Sequence, residues 1–100
     1  MSSSVKKKSV KKIAVVGAGD AAKRFIKTII NSSFKSNFIF TSIFDDNKNK
    51  IGQEIDGIEI LDSIKNISKY VDKFDEIVVA IPSSSKKEFN NIYNIILKTN

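Results

Sequence analysis

The sequence contains no cysteine and no histidine. Those two absences exclude disulfides, thiol nucleophiles, imidazole bases and Cys/His zinc sites together. Tryptophan is also absent, and the tyrosines are only Tyr70 and Tyr93. A tyrosinate base needs a lysine one helical turn beyond it, whose ammonium lowers the phenol pKa. The residues at that spacing are Phe74 and Leu97, so neither tyrosine has such a partner. No apolar run approaches the ~20 residues that span a bilayer. The early lysines lead into a strand rather than the long apolar region of a signal peptide. No two carboxylates are expected to meet across a cleft either, so no catalytic set and no metal site are expected.

What is present describes one domain. One hundred residues, 41% apolar and 28% charged, suit a single core, one that buries roughly two-thirds of the unfolded surface. The net charge of +6 is unevenly placed: five of the 17 cations (Lys6, Lys7, Lys8, Lys11 and Lys12) lie in the first twelve residues. The remaining 12 face 11 acidic residues, a balance that argues against a nucleic-acid groove. Residues 1–11 are read as a disordered basic leader, with a juxtamembrane segment of a longer parent as the functional alternative. Residues 12–100 are the folded unit.

Hydrophobic patterning gives the order of elements. Lys11–Val16 is apolar on both faces, as a central parallel strand is. Asp20–Ile30 predicts a helix whose apolar face holds Ala22, Phe25, Ile26, Ile29 and Ile30, broken by Asn31-Ser32-Ser33. Phe38–Phe44 is a second strand, Lys48–Asp56 a polar loop with room for a short helical turn, and Ile58–Leu61 a third strand. Asp62 or Ser63 caps a short helix with Ile64, Ile67 and Val71 on one face. Glu76–Ile81 is a fourth strand stopped by Pro82. A last helix carries Phe89, Ile92, Tyr93, Ile96 and Leu97. This order predicts a three-layer α/β fold, a Rossmann-like parallel sheet in strand order 3-2-1-4 that forms one mononucleotide-binding unit.

The residues with most to say lie where the first strand meets the first helix. Gly17-Ala18-Gly19, followed by Asp20, Ala21 and Ala22, is a glycine turn of the GxGxxA type. Its first glycine permits a tight turn and its second lets the backbone approach a pyrophosphate. Its third position allows close helix–strand packing. The plain alternative is a strand-to-helix turn that binds nothing. Asp20 suits the helix dipole, but turned inward it would repel a phosphate. Asp45 ends the second strand 26 residues after Gly19, near the ~20-residue spacing of the acid that accepts ribose hydroxyls. In an extended conformation only one of Asp45 and Asp46 faces the crevice; the alternative makes both turn residues. No arginine is expected nearby, which favours NAD over a 2′-phosphorylated dinucleotide. Pro82, Ser83, Ser84 and Ser85 form the far wall of the crevice or, alternatively, end a strand and cap a helix.

The runs VVGAGDAAKRFIKTI, FTSIFDDNKNKIGQEIDGIEIL and DEIVVAIPSSSKKEFNNIYNIILKT resemble a known family over about Lys12–Asn100. It is the amino-terminal nucleotide-binding domain of membrane-associated nucleoside-diphosphate-sugar epimerase/dehydratases of bacterial polysaccharide biosynthesis. The resemblance implies that Gly17, Gly19, Ala22 and Asp45 occupy nucleotide positions, with Ala22 replacing the usual Gly. It implies NAD or a UDP-sugar as ligand, a second, catalytic domain in the parent, and a place at the cytoplasmic face of the inner membrane. On this reading the chain itself is a non-catalytic part of a longer enzyme. It would not insert into the membrane, and would tend to dimerise through the bare edge of strand four. Three other kinds of protein carry a similar unit: sugar acyltransferases, where it binds a UDP-sugar, NADH-sensing repressors and CoA-binding modules. A ligand-free structural or oligomerisation domain is the competing class.

Overall fold

The computed structural model describes residues 10–33 and 35–81. The basic leader up to residue 9, the Pro82–Ser85 wall and the final helix lie outside the described residues.

The sheet is built around β1 (Lys11–Val16), whose last four residues are fully covered. Alternation sends Ile13 and Val15 to one face, and Ala14 and Val16 to the other. The first pair packs against α1 (Asp20–Ile30) through Ala22 and Ile26. The second pair packs against the 3₁₀ segment Ile64–Lys73 through Ile64 and Ile67. Both faces of β1 are thus buried, which is why its sequence is apolar without alternation. The boundaries of α1 match the expected ones. Asn31 ends α1, its N–H bonding back to Lys27 O at 3.0 Å.

β1 pairs in parallel with β2 (Phe38–Phe44) on one side and with β5 (Glu76–Val79) on the other. β2 also pairs with β4 (Ile58–Asp62), and β4 with the two-residue strand β3 (Glu54–Ile55), giving the order β3-β4-β2-β1-β5. The four parallel strands follow the expected 3-2-1-4 order, in a Rossmann-like α/β fold. The fifth strand corrects the sequence reading, which left Lys48–Asp56 as a polar loop. Asp56 (φ 50°) and Gly57 (φ 85°) both occupy the left-handed region, the requirement of a type I′ hairpin turn. That turn folds Glu54–Ile55 antiparallel onto Ile58–Glu59.

Two strand boundaries and the geometry of one helix differ. β4 runs one residue further, to Asp62. β5 stops at Val79 rather than Ile81, although Ala80 N–H still donates to Val16 O at 2.8 Å. The helix expected after Ser63 is 3₁₀ in geometry, so its buried side is spaced by three: Ile64, Ile67 and Tyr70 pack under the sheet while Val71 is exposed. Three residues per turn bring i and i+3 into line.

β2 carries a bulge. Ile13 pairs with Phe40 but Ala14 pairs with Ser42, so Thr41 is an extra residue. Its hydroxyl donates to Ile13 O at 3.3 Å across the widened gap. The extra residue reverses the alternation: Phe38 and Phe40 face α1, and so does Ile43. Phe44 faces the 3₁₀ segment. Without the bulge, Phe38, Phe40 and Phe44 would share one face.

No helix among the described residues is long and apolar enough to cross a membrane. Surface ion pairs add little to the fold. Lys11 Nζ–Glu76 Oε2 at 2.8 Å joins β1 to β5, and Lys27 Nζ–Asp56 Oδ1 at 3.9 Å ties α1 to the hairpin tip; the members of the first pair are about half exposed. Such pairs contribute about 0–1 kcal/mol.

Ser42 is wholly buried, and its hydroxyl has no hydrogen-bond partner among the described residues. An unpaired buried hydroxyl costs about 1–3 kcal/mol. Ser42→Ala is therefore expected to raise stability, by about 1 kcal/mol, measured as a higher denaturation midpoint at an unchanged m-value.

Candidate functional site

β1 leaves the sheet at Gly17, where three strands converge. Gly17 N–H donates to Phe44 O at 2.8 Å. Its φ is 107°, and a Cβ placed there would lie 2.6 Å from Ala80 O. Both facts require glycine. Gly19 is different. It is the N-cap of α1 with an ordinary extended backbone, and among the described residues no side chain caps the helix and none lies within 4 Å of a Cβ placed there. The first-turn amides of α1 therefore open onto a cleft with the helix dipole behind them.

That cleft has a volume of about 430 Å³. Gly17, Ala18, Gly19, Asp20, Ala21 and Arg24 form its floor and helix side. Asp45 and Lys50 come from the loop after β2, and Ala80 and Ile81 from the end of β5. Ala22 lies beneath, fully buried between α1 and the sheet, where a larger side chain would separate them.

The two acids after β2 part company. Asp45 Oδ2 accepts from Ala18 N–H at 2.7 Å, and its Oδ1 accepts from Asn47 N–H at 2.8 Å. Asp46 does not line the cleft. Its Oδ1 accepts from Ile64 N–H at 3.0 Å, capping the 3₁₀ segment on the opposite side. Only one carboxylate of the pair faces the crevice, and each is also a turn acceptor. Asp20 lines the cleft rim, exposed.

Two cations in the cleft have no counterpart in the sequence reading. Lys50 Nζ donates to Ala18 O at 3.2 Å, so both polar groups of the Ala18 backbone are held by the loop after β2. Arg24, one turn along α1 from Asp20, lines the same cleft as Asp45. This corrects the expectation that no arginine lies near that acid, and with it the argument for NAD over a 2′-phosphorylated dinucleotide. Helical spacing from Asp20 was the available signal for Arg24; nothing in the spacing marks Lys50. Among the described residues no group of acidic side chains could hold a metal ion.

A second acid supports the cleft from behind. Asp62 ends β4, and its carboxylate accepts from Ser63 N–H (2.6 Å), Asn66 Nδ2 (2.9 Å) and Tyr70 OH (2.8 Å). The side-chain donors Asn66 and Tyr70, then the Ser63 amide, hold its pKa below the ordinary carboxylate value. The same bond to Asp62 pushes the Tyr70 phenol up. Asp62 O in turn accepts from Asp45 N–H at 3.1 Å.

A family model described as the CoA binding domain matches residues 8–92. The chain belongs to the CoA-binding domain family. Three solved structures share the fold of this CoA-binding domain. RSP, a Rex-family repressor, is 20% identical with a TM-score of 0.76, over 92% of this chain and 42% of the repressor. RSP in complex with β-NAD⁺ and operator DNA is 18% identical with a TM-score of 0.73, over 96% and 42%. UDP-D-quinovosamine 4-dehydrogenase from Vibrio fischeri is 22% identical with a TM-score of 0.77, over 91% and 73%. The chain spans less than half of the repressor's length. The operator complex stands in tension with the expectation of no nucleic-acid partner. No curated protein matches the chain.

Two outcomes follow from the geometry. Gly17→Ala is expected to cost stability, by roughly 1–3 kcal/mol or more, whereas Gly19→Ala leaves the denaturation midpoint within about 0.5 kcal/mol of wild type. The second concerns acid. Because the folded pKa of Asp62 lies below its unfolded value of about 3.9, its contribution is present above that value and is lost as pH falls through the folded pKa. Asp62→Asn should therefore flatten the acid limb of a stability–pH curve while lowering stability near neutrality.

Proposed function

We propose that the chain is a nucleotide-binding, non-catalytic Rossmann-type module. The observation that carries this reading is the N-terminus of α1, capped by no side chain among the described residues, opening onto a cleft that also holds Asp45, Lys50 and Arg24. A phosphate at the first-turn amides meets oriented N–H dipoles with two cations within the same cleft. The ribose lies toward Asp45. Its two bonds leave each carboxylate oxygen a second lone pair, so hydroxyls can be accepted without releasing Ala18. The cleft's size suits a nucleotide.

The ligand is a nucleoside diphosphate derivative: NAD, a UDP-sugar or CoA. The family name supports CoA, the RSP complex with β-NAD⁺ supports a dinucleotide, and the dehydrogenase neighbour supports a sugar-nucleotide setting. Within these we favour a domain of a nucleoside-diphosphate-sugar epimerase/dehydratase of polysaccharide biosynthesis, acting at the cytoplasmic side of the membrane. The acidic turn, the "GIEIL" link and the "AIPS" strand end support that finer reading. In it, Pro82–Ser85 closes the far side of the ligand and a separate domain performs the chemistry.

Titration calorimetry with NAD, CoA and UDP-N-acetylglucosamine is the test. Binding of at least one is expected, and Gly19→Val should abolish it while the melting temperature stays near that of wild type, since a Cβ at Gly19 meets no described residue within 4 Å. No heat with any of the three at millimolar concentration overturns the proposal.

A further inference from the structure

The acid that faces the glycine turn is held in place from the opposite side of the sheet. Asp45 N–H donates to Asp62 O, and the Asp62 carboxylate is fixed by three donors, one of which is Tyr70 OH. Tyr70 also reaches the turn by a second route. Its ring lies 5.4 Å from that of Phe44, tilted by 49°, and Phe44 O is the acceptor for Gly17 N–H. Tyr70 therefore sits behind both backbone bonds that define the site, Gly17–Phe44 and Asp45–Asp62. It is not itself among the residues that line the cleft.

Its own conformation suits that role. Tyr70 interrupts the 3₁₀ segment with φ −120° and ψ 18°. In that position the ring packs under Phe44 while the hydroxyl meets Asp62, eight residues earlier. A phenol–carboxylate bond is charge-assisted, about twice as strong as a neutral one. Asp46 adds a third link in the same direction, since its carboxylate caps Ile64 at the start of the segment.

We infer that Tyr70 is a positioning residue for the nucleotide site: through Asp62 and Phe44 it fixes the Asp45 carboxylate against Ala18 and holds the glycine turn in its binding geometry. This inference rests on the nucleotide reading above. It makes the 3₁₀ segment part of the binding apparatus, although that segment lies across the sheet from the cleft. Asp62 is the intermediate, and Asn66 completes its coordination.

The test compares Tyr70→Phe with Ile67→Val in the full chain. Ile67 is buried in the same segment but bonds to nothing in this network. Amide hydrogen exchange is read at Asp45 and Ala18, and affinity by titration with NAD, CoA and UDP-N-acetylglucosamine. Loss of one such hydrogen bond should speed exchange at both amides roughly tenfold and weaken affinity for whichever nucleotide binds by a similar factor. Ile67→Val should change neither beyond what its loss of melting temperature explains. Asp62→Asn keeps the side chain's shape while weakening its three bonds, and should show the same pattern if Tyr70→Phe folds poorly. Exchange at Asp45 and Ala18 no faster in Tyr70→Phe than in Ile67→Val overturns the inference. So does unchanged affinity. A wild-type chain that binds none of the three nucleotides overturns the functional reading instead, and the exchange rates still decide whether Tyr70 orders the turn.

Discussion

The close approach of three backbones at Gly17 is the constraint on which the structure depends. β1 is the central strand, so it must leave the sheet between β2 and β5 without opening a gap. Its exit bonds to Phe44 O on one side and leaves no room for a Cβ against Ala80 O on the other. Only a residue without a side chain, at positive φ, satisfies both. Once the chain passes that point, α1 starts directly over the strand ends, and Ala22 permits it to lie close. The cleft is a by-product of this geometry: a helix N-terminus aimed at the place where two neighbouring strands diverge.

Carboxylates hold this end of the molecule together. Asp45, Asp46 and Asp62 each accept at least one backbone N–H, from Ala18 and Asn47, Ile64, and Ser63 respectively. Charge-assisted bonds to amides are stronger than the exposed ion pairs elsewhere on the surface. The acids therefore matter more as acceptors than as partners of lysines. This also explains how one residue can be both structural and ligand-facing. Asp45 is ordered by bonds that leave lone pairs free, so its alignment is settled before any ligand arrives.

Much of the fold was legible because its signals are long. β1, α1 and β2 show sustained apolar patterns, with a glycine turn between the first two, and the parallel strand order follows from them. The hairpin strand was not read because two residues make no period. The Asp56-Gly57 pair was its only signature. The 3₁₀ segment was read with a helical 3.6 spacing ending at Val71. In fact Ile64, Ile67 and Tyr70 follow a period of three, and the competing choice at the third position could not be made from sequence. Within the site, Gly17, Ala22 and Asp45 were legible from spacing. Lys50 was not, because its proximity to Ala18 depends on how a polar loop folds back. The coordination of Asp62 was equally hidden, since the sequence made it one of two candidate caps.

The bulge at Thr41 has a consequence for how this chain can vary. It divides β2 into two halves with independent demands. Upstream, Phe38 and Phe40 answer to the core beneath α1; downstream, Phe44, Asp45 and Asp46 answer to the strand ends and their caps. A strict two-residue alternation would have tied these demands together. Any sequence that buried its phenylalanines under α1 would then have turned Asp45 away from the glycine turn and offered Asp46 in its place. One inserted residue uncouples them. The aromatic half can change without re-aiming the acids, and the acidic half can be altered for a different ligand without repacking the core.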